Sequence, residues 1–302
     1  MTSVEVEVRP PSPFRLPSYS SEDRTMRVQS GVLSRLLRVG ESPVLVRAWE
    51  PARGRVALRA EPLEPDAVEP PRGVPAPAAR PAGAAELERA LERMRFALGV
   101  DDDLTPFYRR FRRDPLLGPV LRRRPWLRPR RRPWAWEALA WAVVKQLIES
   151  ERAAAIQRRI VARWGARLGR ERGVLRDVPA AATIAGRAPA ELASMDLSPA
   201  RSLALRAVAR EIVAGRCDPA DPAADRRLLA VPEIGPWTVQ CLGLFGRGDP
   251  DSLPAGDLIY LKLVGRLARL GRRATVEEVE ELYAPYEPYR GLAGLWTIGL
   301  YR

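Results

Sequence analysis

Between Leu228 and Leu242 the chain reads LLAVPEIGPWTVQCL: a helical stretch, a tight Val231-Pro232-Glu233-Ile234-Gly235 turn, and a second helix opening with Pro236. Amides in such a turn point outward, and the dipole of the following helix adds partial positive charge. The turn is therefore either a phosphate-binding element or an ordinary helix connector. Asp257 lies twenty-two residues beyond Gly235, closing the turn Ser252-Leu253-Pro254-Ala255-Gly256-Asp257 directly before an amphipathic stretch. Alone, it reads as a helix N-cap. The residue types that are missing narrow the chemistry. Without histidine there is no Ser-His-Asp triad, no HExxH zinc site and no imidazole acid or base. Two cysteines, Cys217 and Cys241, cannot ligate an iron–sulfur cluster or a four-cysteine zinc site. They need not pair in a chain that reads as cytosolic. Catalysis here rests on carboxylates, hydroxyls, a lysine or backbone dipoles.

The 302 residues carry 50 Lys+Arg against 37 Asp+Glu, a net charge of +13 that is almost all arginine. Either the chain meets an anionic partner or its composition reflects an arginine-rich genome. The charge is uneven: between Asp101 and Arg132 stand eleven arginines and four aspartates. Phe107, Tyr108, Phe111 and Trp126 are interleaved with them, which suits a segment anchored to a core with guanidinium groups outward. Whether this segment touches a polyanion or packs beneath its neighbours stays open. No apolar run is long enough to span a membrane, and the acidic start MTSVEVEV does not read as a secretory leader.

The elements that must position these residues fall into two regions. The first sixty residues read β-rich, with strands at Val4–Val8, Val44–Trp49 and Arg55–Arg59, a turn at Pro51–Gly54, and a short helix at Gly31–Leu37. Pro62 to Pro81 reads as a Pro/Ala/Gly linker. From Ala84 onward the spacing is helical: Leu87, Leu91, Met94 and Leu98 share a face, and Trp134–Ile148 is apolar on nearly all sides. Further helices are expected at Ala153–Trp164, Pro199 to Gly215, Asp225–Leu229, Pro236–Phe245, Leu258–Leu270 and Val276–Leu282. The fold class is mostly α with an N-terminal α+β domain.

The hairpin, followed at this spacing by a Pro- and Gly-containing turn ending in Asp257, resembles the helix-hairpin-helix (HhH-GPD) DNA glycosylase superfamily. Trp136-Glu137-Ala138 through Lys145-Gln146-Leu147-Ile148 is similar to that family's early central helix and its Gln-containing tip. Pro285–Arg290 with Leu295-Trp296 is similar to its closing helix. The β-rich start joined to a helical body resembles the bacterial 3-methyladenine DNA glycosylase II (AlkA) type. The resemblance covers nearly the whole chain and is most specific from Trp134 onward.

The resemblance implies a domain of residues 1–100, a helical subdomain from 101–133 with 250–302, and a central helical subdomain of 134–249 carrying the hairpin. It implies a monomeric, cytoplasmic, nucleoid-associated enzyme that flips a damaged purine out of double-stranded DNA and hydrolyses its N-glycosidic bond. Asp257 is then the catalytic carboxylate. Glu233, Gly235, Trp237 and Thr238 are the phosphate-gripping hairpin residues, joined at the DNA by Gln146 and Leu147. Leu147 is the family's wedge or an ordinary core leucine; Trp237 is a stacking face of the base pocket or a core tryptophan. Family members that also cut the strand carry lysine at the Trp237 position, so the resemblance implies a monofunctional enzyme leaving an abasic site. No organic cofactor is implied, only a structural Na⁺ or K⁺ on the carbonyls of Leu229, Val231 and Ile234.

Two departures stand out. Glu233 occupies a turn position that is usually glycine, and a left-handed backbone there costs about 1–2 kcal/mol. Cys241 and Leu258 stand where pocket aromatics are common, leaving Trp296, Phe14 or Tyr19 to compensate. The rival activities are an oxidised-guanine glycosylase and a non-catalytic helix-hairpin-helix DNA-damage-binding protein. An acid at position 257 separates the last from the others, because a pure binder gains nothing from a carboxylate aimed at anionic DNA.

Overall fold

The computed structural model describes residues 2–70, 80–169 and 174–299. Its N-terminal part is a five-stranded antiparallel sheet in the order β1-β5-β4-β3-β2, made of β1 (Val4–Val8), β2 (Met26–Gln29), β3 (Val32–Val39), β4 (Ser42–Trp49) and β5 (Val56–Pro62). Alternation puts Leu33, Leu37, Val44, Val46, Val56 and Leu58 on one face, where the amphipathic helix α1 (Ala84–Leu98) covers them with Leu87, Leu91 and Met94. A capping-box glutamate, Glu86, starts α1 and the left-handed Gly99 ends it.

The expected short helix at Gly31–Leu37 is instead strand β3. Ser30 and Gly31 both take positive φ (49° and 77°), a two-residue turn that closes the β2–β3 hairpin. Leu33, Leu36 and Leu37 then alternate into contacts on both faces of the sheet rather than lining one helical face. Two further strands, β7 (Arg167–Leu168) and β8 (Leu175–Arg176), lie inside the region read as wholly helical and form a small antiparallel sheet with β6 (Val68–Glu69), which lies in the expected linker. Residues 71–79 of the expected Pro62–Pro81 linker lie outside the described residues.

Two apolar cores organise the helices. One gathers α4 (Ala135–Lys145), α5 (Ser150–Trp164), α6 (Ala181–Ala185), α7 (Pro189–Ala193), α8 (Pro199–Val213), α9 (Asp225–Leu229) and α10 (Pro236–Leu242) around Leu139, Val143, Ile160, Leu205 and Leu228. Ser198 caps α8 as its Ser-Pro signature predicts. The other joins α2 (Thr105–Phe111), α3 (Gly118–Arg123), α11 (Leu258–Leu267), α12 (Val276–Tyr283) and α13 (Arg290–Ile298) around Phe107, Tyr260, Tyr283 and Trp296. The chain is thus mostly helical with an N-terminal α+β part, as its patterning indicates.

The sheet is joined to the helices by a buried ionic cluster. Arg35 of β3 reaches Glu137 of α4 at 2.8 Å and Asp177 at 3.2 Å. Asp23 accepts from Arg132 at 2.6 Å and from the Trp141 indole at 2.8 Å. Burial and the neighbouring Asp177 charge, against the pull of Arg35, push the Glu137 carboxyl up to about 7. Burial also raises Asp23, but Arg132 and Arg35 overcome it and hold that group below the usual carboxylate range. Three acids and two arginines leave one acid without a matching charge, and burial raises both Glu137 and Asp177, which share the Arg35 guanidinium.

Most arginines of the arginine-rich segment are exposed, but several are engaged by the chain itself. Arg128 donates to Ser12 at 2.8 Å and to the Pro13 carbonyl at 2.9 Å. Arg130 lies over the Tyr19 ring at 3.8 Å, Arg131 pairs with Asp102 at 2.6 Å, and Arg110 donates to the Glu287 carbonyl at 2.7 Å. Arg109, Arg112, Arg113, Arg123 and Arg124 stay exposed, with no side-chain hydrogen bond or ion pair among the described residues.

Candidate functional site

The hairpin is built by its own turn chemistry. Ile234 donates to the Val231 carbonyl at 3.1 Å, closing a turn with Pro232 at its second position and Glu233 at its third. Glu233 has φ +70°, the left-handed geometry that the third position of a type II turn requires. Ile234 and Leu228 are buried and fasten the turn to the core. Gly235 caps α10 in extended backbone and accepts from the Thr238 amide at 3.0 Å. The Thr238 amide is therefore already engaged, a correction to its expected place among the free phosphate donors. The amides of Glu233 and Gly235 have no acceptor among the described residues. The carbonyls of Leu229 and Ile234 accept no backbone hydrogen bond there either, while Val231 accepts one. Such unpaired carbonyls at a helix end fit a monovalent cation.

Gln146 ends α4 and turns its side chain onto the hairpin. Its amide nitrogen donates to the Glu233 carbonyl at 2.8 Å and to Thr238 Oγ1 at 2.9 Å. Gln146 thereby fixes the α4 tip against the turn. The next residue, Leu147, has φ +54° and a relative exposure of 103%. That excludes the core-leucine reading. A leucine held fully in water by a left-handed backbone has nothing to pack against within the chain.

Asp257 is an N-cap whose second carboxylate oxygen is held by an indole. Its Oδ1 accepts from the Ile259 amide at 3.0 Å, and its Oδ2 accepts from the Trp237 indole at 3.3 Å. The Pro254–Asp257 turn presents it, with the Asp257 amide donating to the Pro254 carbonyl at 2.9 Å. Trp237 is half-buried and backs onto Gly256, where an added Cβ would meet its side chain and that of Val276 at 3.9 Å. Leu258 and Val276, at the first positions of α11 and α12, are exposed beside it. The Cys241 thiol is raised by burial and by the Asp257 charge and lowered by Lys145, so both charges act on one buried sulfur.

The structure brings Asp257, Trp237, Gly235, Glu233, Thr238, Gln146 and Leu147 to one side of the molecule. It does not bring Trp296. That indole is fully buried, edge-on to Phe107 at 5.4 Å, so its expected place in the base pocket is corrected: α2 packs over it. Phe14 lies half-buried with Arg128 above it, and Tyr19 stays 60% exposed. Sequence reasoning missed the partner of the α4 tip. Lys145 reaches Glu22 at 3.4 Å, and Arg158 of α5 donates to the Glu22 carbonyl at 3.1 Å. The loop before β2 is thereby laid along the site. Its register depends on contacts more than a hundred residues apart, which no local pattern encodes.

No family model matches the chain. A DNA-3-methyladenine glycosylase of Bacillus subtilis is 27% identical over 185 residues, 58% of this chain and 60% of that protein. A probable bifunctional transcriptional activator/DNA repair enzyme AlkA of Mycobacterium tuberculosis is 30% identical over 180 residues, 57% of this chain and 35% of that protein. The match thus spans three fifths or less of these curated relatives. Among solved structures, a 3-methyladenine DNA-glycosylase from Archaeoglobus fulgidus superposes with a TM-score of 0.77 at 19% identity, covering 99% of this chain and 97% of its own. A Clostridium acetobutylicum 8-oxoguanine glycosylase/lyase gives 0.62 at 12% identity, covering 90% and 97%. At these identities the likeness to solved structures is one of fold. The resemblance to the helix-hairpin-helix glycosylases, with AlkA-like character, holds in fold and in sequence.

Proposed function

We propose that this chain is a base-excision-repair DNA glycosylase that hydrolyses the N-glycosidic bond of alkylated purines, of the 3-methyladenine and 7-methylguanine type, in duplex DNA. The observation that carries the reading is the half-buried carboxylate of Asp257, held at both oxygens, on the side of the molecule that also carries the exposed Leu147 and a turn with free amides. The Glu233 and Gly235 amides would take a backbone phosphate beside the lesion. Leu147 would enter the stack as the damaged nucleotide leaves it. As the bond from C1′ to the base nitrogen breaks, positive charge builds on the sugar. An ionised carboxylate facing C1′ stabilises that charge and can orient the water whose oxygen bonds to C1′. A carboxylate has about four acceptor positions, and the Ile259 amide and Trp237 indole occupy only two. The leaving base is replaced by hydroxyl, giving an abasic site.

Trp237 holds the position where a strand-cleaving relative would need an amine, so the reaction stops at hydrolysis. Its indole keeps one edge on Asp257 and offers a face for stacking to an electron-poor base. The Leu229, Val231 and Ile234 carbonyls would hold Na⁺ or K⁺, stiffening the turn. The chain would act as a monomer on double-stranded DNA. No described helix is long and apolar enough to cross a membrane.

The test offers duplexes bearing single 7-methylguanine, ethenoadenine, hypoxanthine or 8-oxoguanine residues to wild type and Asp257→Asn. Asparagine caps a helix as well as aspartate, so α11 should stay folded. Excision of alkylated purines should fall by about a hundredfold or more. Excision that survives the substitution would overturn the assignment. Preference for 8-oxoguanine, or a borohydride-trapped adduct with strand cleavage, would favour the oxidised-guanine enzyme instead.

A further inference from the structure

The helix that begins at Asp257 ends in an unassigned basic groove. Lys262 and Arg266 follow Leu258 at intervals of four on the exposed face of α11, and Arg269, Arg272 and Arg273 come from the turn after it. These five cations line an open concavity of about 370 Å³ together with Gly265 and Gly271. The convergence is built. An added Cβ at Gly265 would meet the Arg272 carbonyl at 2.2 Å, so only glycine lets the turn fold back against the helix. Leu270 donates to the Gly265 carbonyl and Ala274 to the Leu261 carbonyl, both at 2.9 Å, which pins the returning strand of chain. Arg269 and Gly271 take positive φ to make the reversal.

The groove is poor in acid. Arg272 pairs with Glu278 at 2.7 Å. Lys262, Arg266, Arg269 and Arg273 make no side-chain hydrogen bond or ion pair among the described residues. Four unneutralised cations held together on a folded turn repel one another and are stabilised by a polyanion. Their spacing fits a polymer better than a single anion. At about 1.5 Å per helical residue, Lys262 and Arg266 stand roughly 7 and 14 Å along the axis from Asp257. One DNA strand advances about 3.4 Å of axis per nucleotide, so these positions match phosphates some two to four nucleotides from a residue at Asp257.

Resting on the glycosylase reading above, we infer that this groove is a second phosphate-binding track. It grips the backbone of the same duplex on one flank of the lesion, apart from the hairpin contact. The arginines on α2 and α3 are set off from it, because α13 packs against both α3 and α11.

The experiment compares wild type, a groove variant (Lys262→Gln, Arg266→Gln, Arg269→Gln, Arg273→Gln) and a control variant (Arg112→Gln, Arg113→Gln, Arg123→Gln, Arg124→Gln). Arg272 is kept because its pair with Glu278 supports the fold. Fluorescence anisotropy measures binding to a duplex with a central tetrahydrofuran abasic analogue, as a salt series. The duplex is used with natural phosphates throughout and with uncharged methylphosphonate linkages two to four nucleotides from the analogue. The groove variant should lose about three units of the log–log salt slope and at least tenfold in affinity on the natural duplex. On the methylphosphonate duplex it should match wild type. Its single-turnover excision rate at saturating enzyme should remain within threefold, so a failure of the track is separable from a failure of catalysis. A slope within one unit of wild type, in a variant with an unchanged melting temperature, would overturn the inference. So would an equal loss on both duplexes, or the larger loss in the control variant.

Discussion

Glu233 gives the sharpest test of how the hairpin works, because its backbone and its charge make opposite demands that two substitutions separate. At φ +70° the residue sits where a side chain costs about 1–2 kcal/mol. Glycine removes that cost but gives back about 0.5–1 kcal/mol as unfolded-state freedom. Glu233→Gly should therefore stabilise by up to about 1 kcal/mol, raising Tm by about 1–3 °C in a chain of this size. The contact from Gln146 goes to the Glu233 carbonyl at 2.8 Å, so it survives the change. The charge acts separately. An exposed carboxylate about 8 Å from a phosphate, at an effective dielectric between 40 and 80, repels it by about 0.5–1 kcal/mol. Glu233→Gln keeps the strained backbone and removes the charge. It should leave Tm unchanged and tighten binding to a tetrahydrofuran duplex by about two- to fivefold at low salt, with the gain shrinking as salt rises. Glu233→Gly should show both effects. The assays are differential scanning calorimetry and fluorescence anisotropy on the same preparations. A Glu233→Gln protein that binds DNA more weakly would refute the placement of the turn against phosphate, and a Glu233→Gly protein with a lower Tm would refute the strain argument.

Leu147→Ala should change stability by less than about 0.5 kcal/mol, since the side chain is fully exposed. Binding to abasic-site duplex should nevertheless weaken by about ten- to a hundredfold, the value of burying a leucine in the base stack; unchanged affinity would remove the wedge role. Glu137 predicts a pH dependence of stability. Its carboxyl is raised to about 7 in the fold from 4.5, so folding takes up a proton. That contribution is fully present below about pH 4.5 and is lost as pH rises through 7, on the order of 3 kcal/mol for this buried group. Denaturant midpoints should fall between pH 5 and 8 in wild type and flatten in Glu137→Gln; parallel profiles would show that Glu137 is ionised throughout.

The parts of the site that were legible are those encoded by a few adjacent residues. The Val231–Gly235 turn follows from a proline before a left-handed position and an extended glycine before Pro236. Asp257 follows from a cap before an amphipathic helix, and the structure shows that the cap and the Trp237 contact use different oxygens of one carboxylate. Leu147 was ambiguous, because an exposed leucine and a buried one look alike until the backbone sign is known. Ser30-Gly31 was a readable hairpin signal overridden by the leucines beside it, whose alternate contacts appear only once β4 is paired. Trp296 failed for a different reason. The resemblance offered it in place of missing pocket aromatics, but only Phe107, almost two hundred residues earlier, decides that the indole is sealed. The Glu22–Lys145 pair and the Arg35 cluster are likewise products of tertiary register.

The arginine excess divides by the same logic. A guanidinium stays charged when buried and offers five donors, so it can serve as a strut between carbonyls and carboxylates where lysine would lose its proton. Arg35, Arg128, Arg131 and Arg132 do this between the sheet, its loop and the helices. These groups are already neutralised or wrapped by the chain and would release no counterion on meeting a polyanion. Only exposed cations without partners contribute to a salt slope. The net charge of +13 therefore overstates the charge available to a polyanion. The cations that remain available lie partly on α2 and α3 and partly on the helix that Asp257 begins. In the second place, the proposed electrostatic grip and the Asp257 carboxylate sit on one helix, so a phosphate held in the groove would raise affinity for the flanking backbone while leaving the bond-breaking step to Asp257.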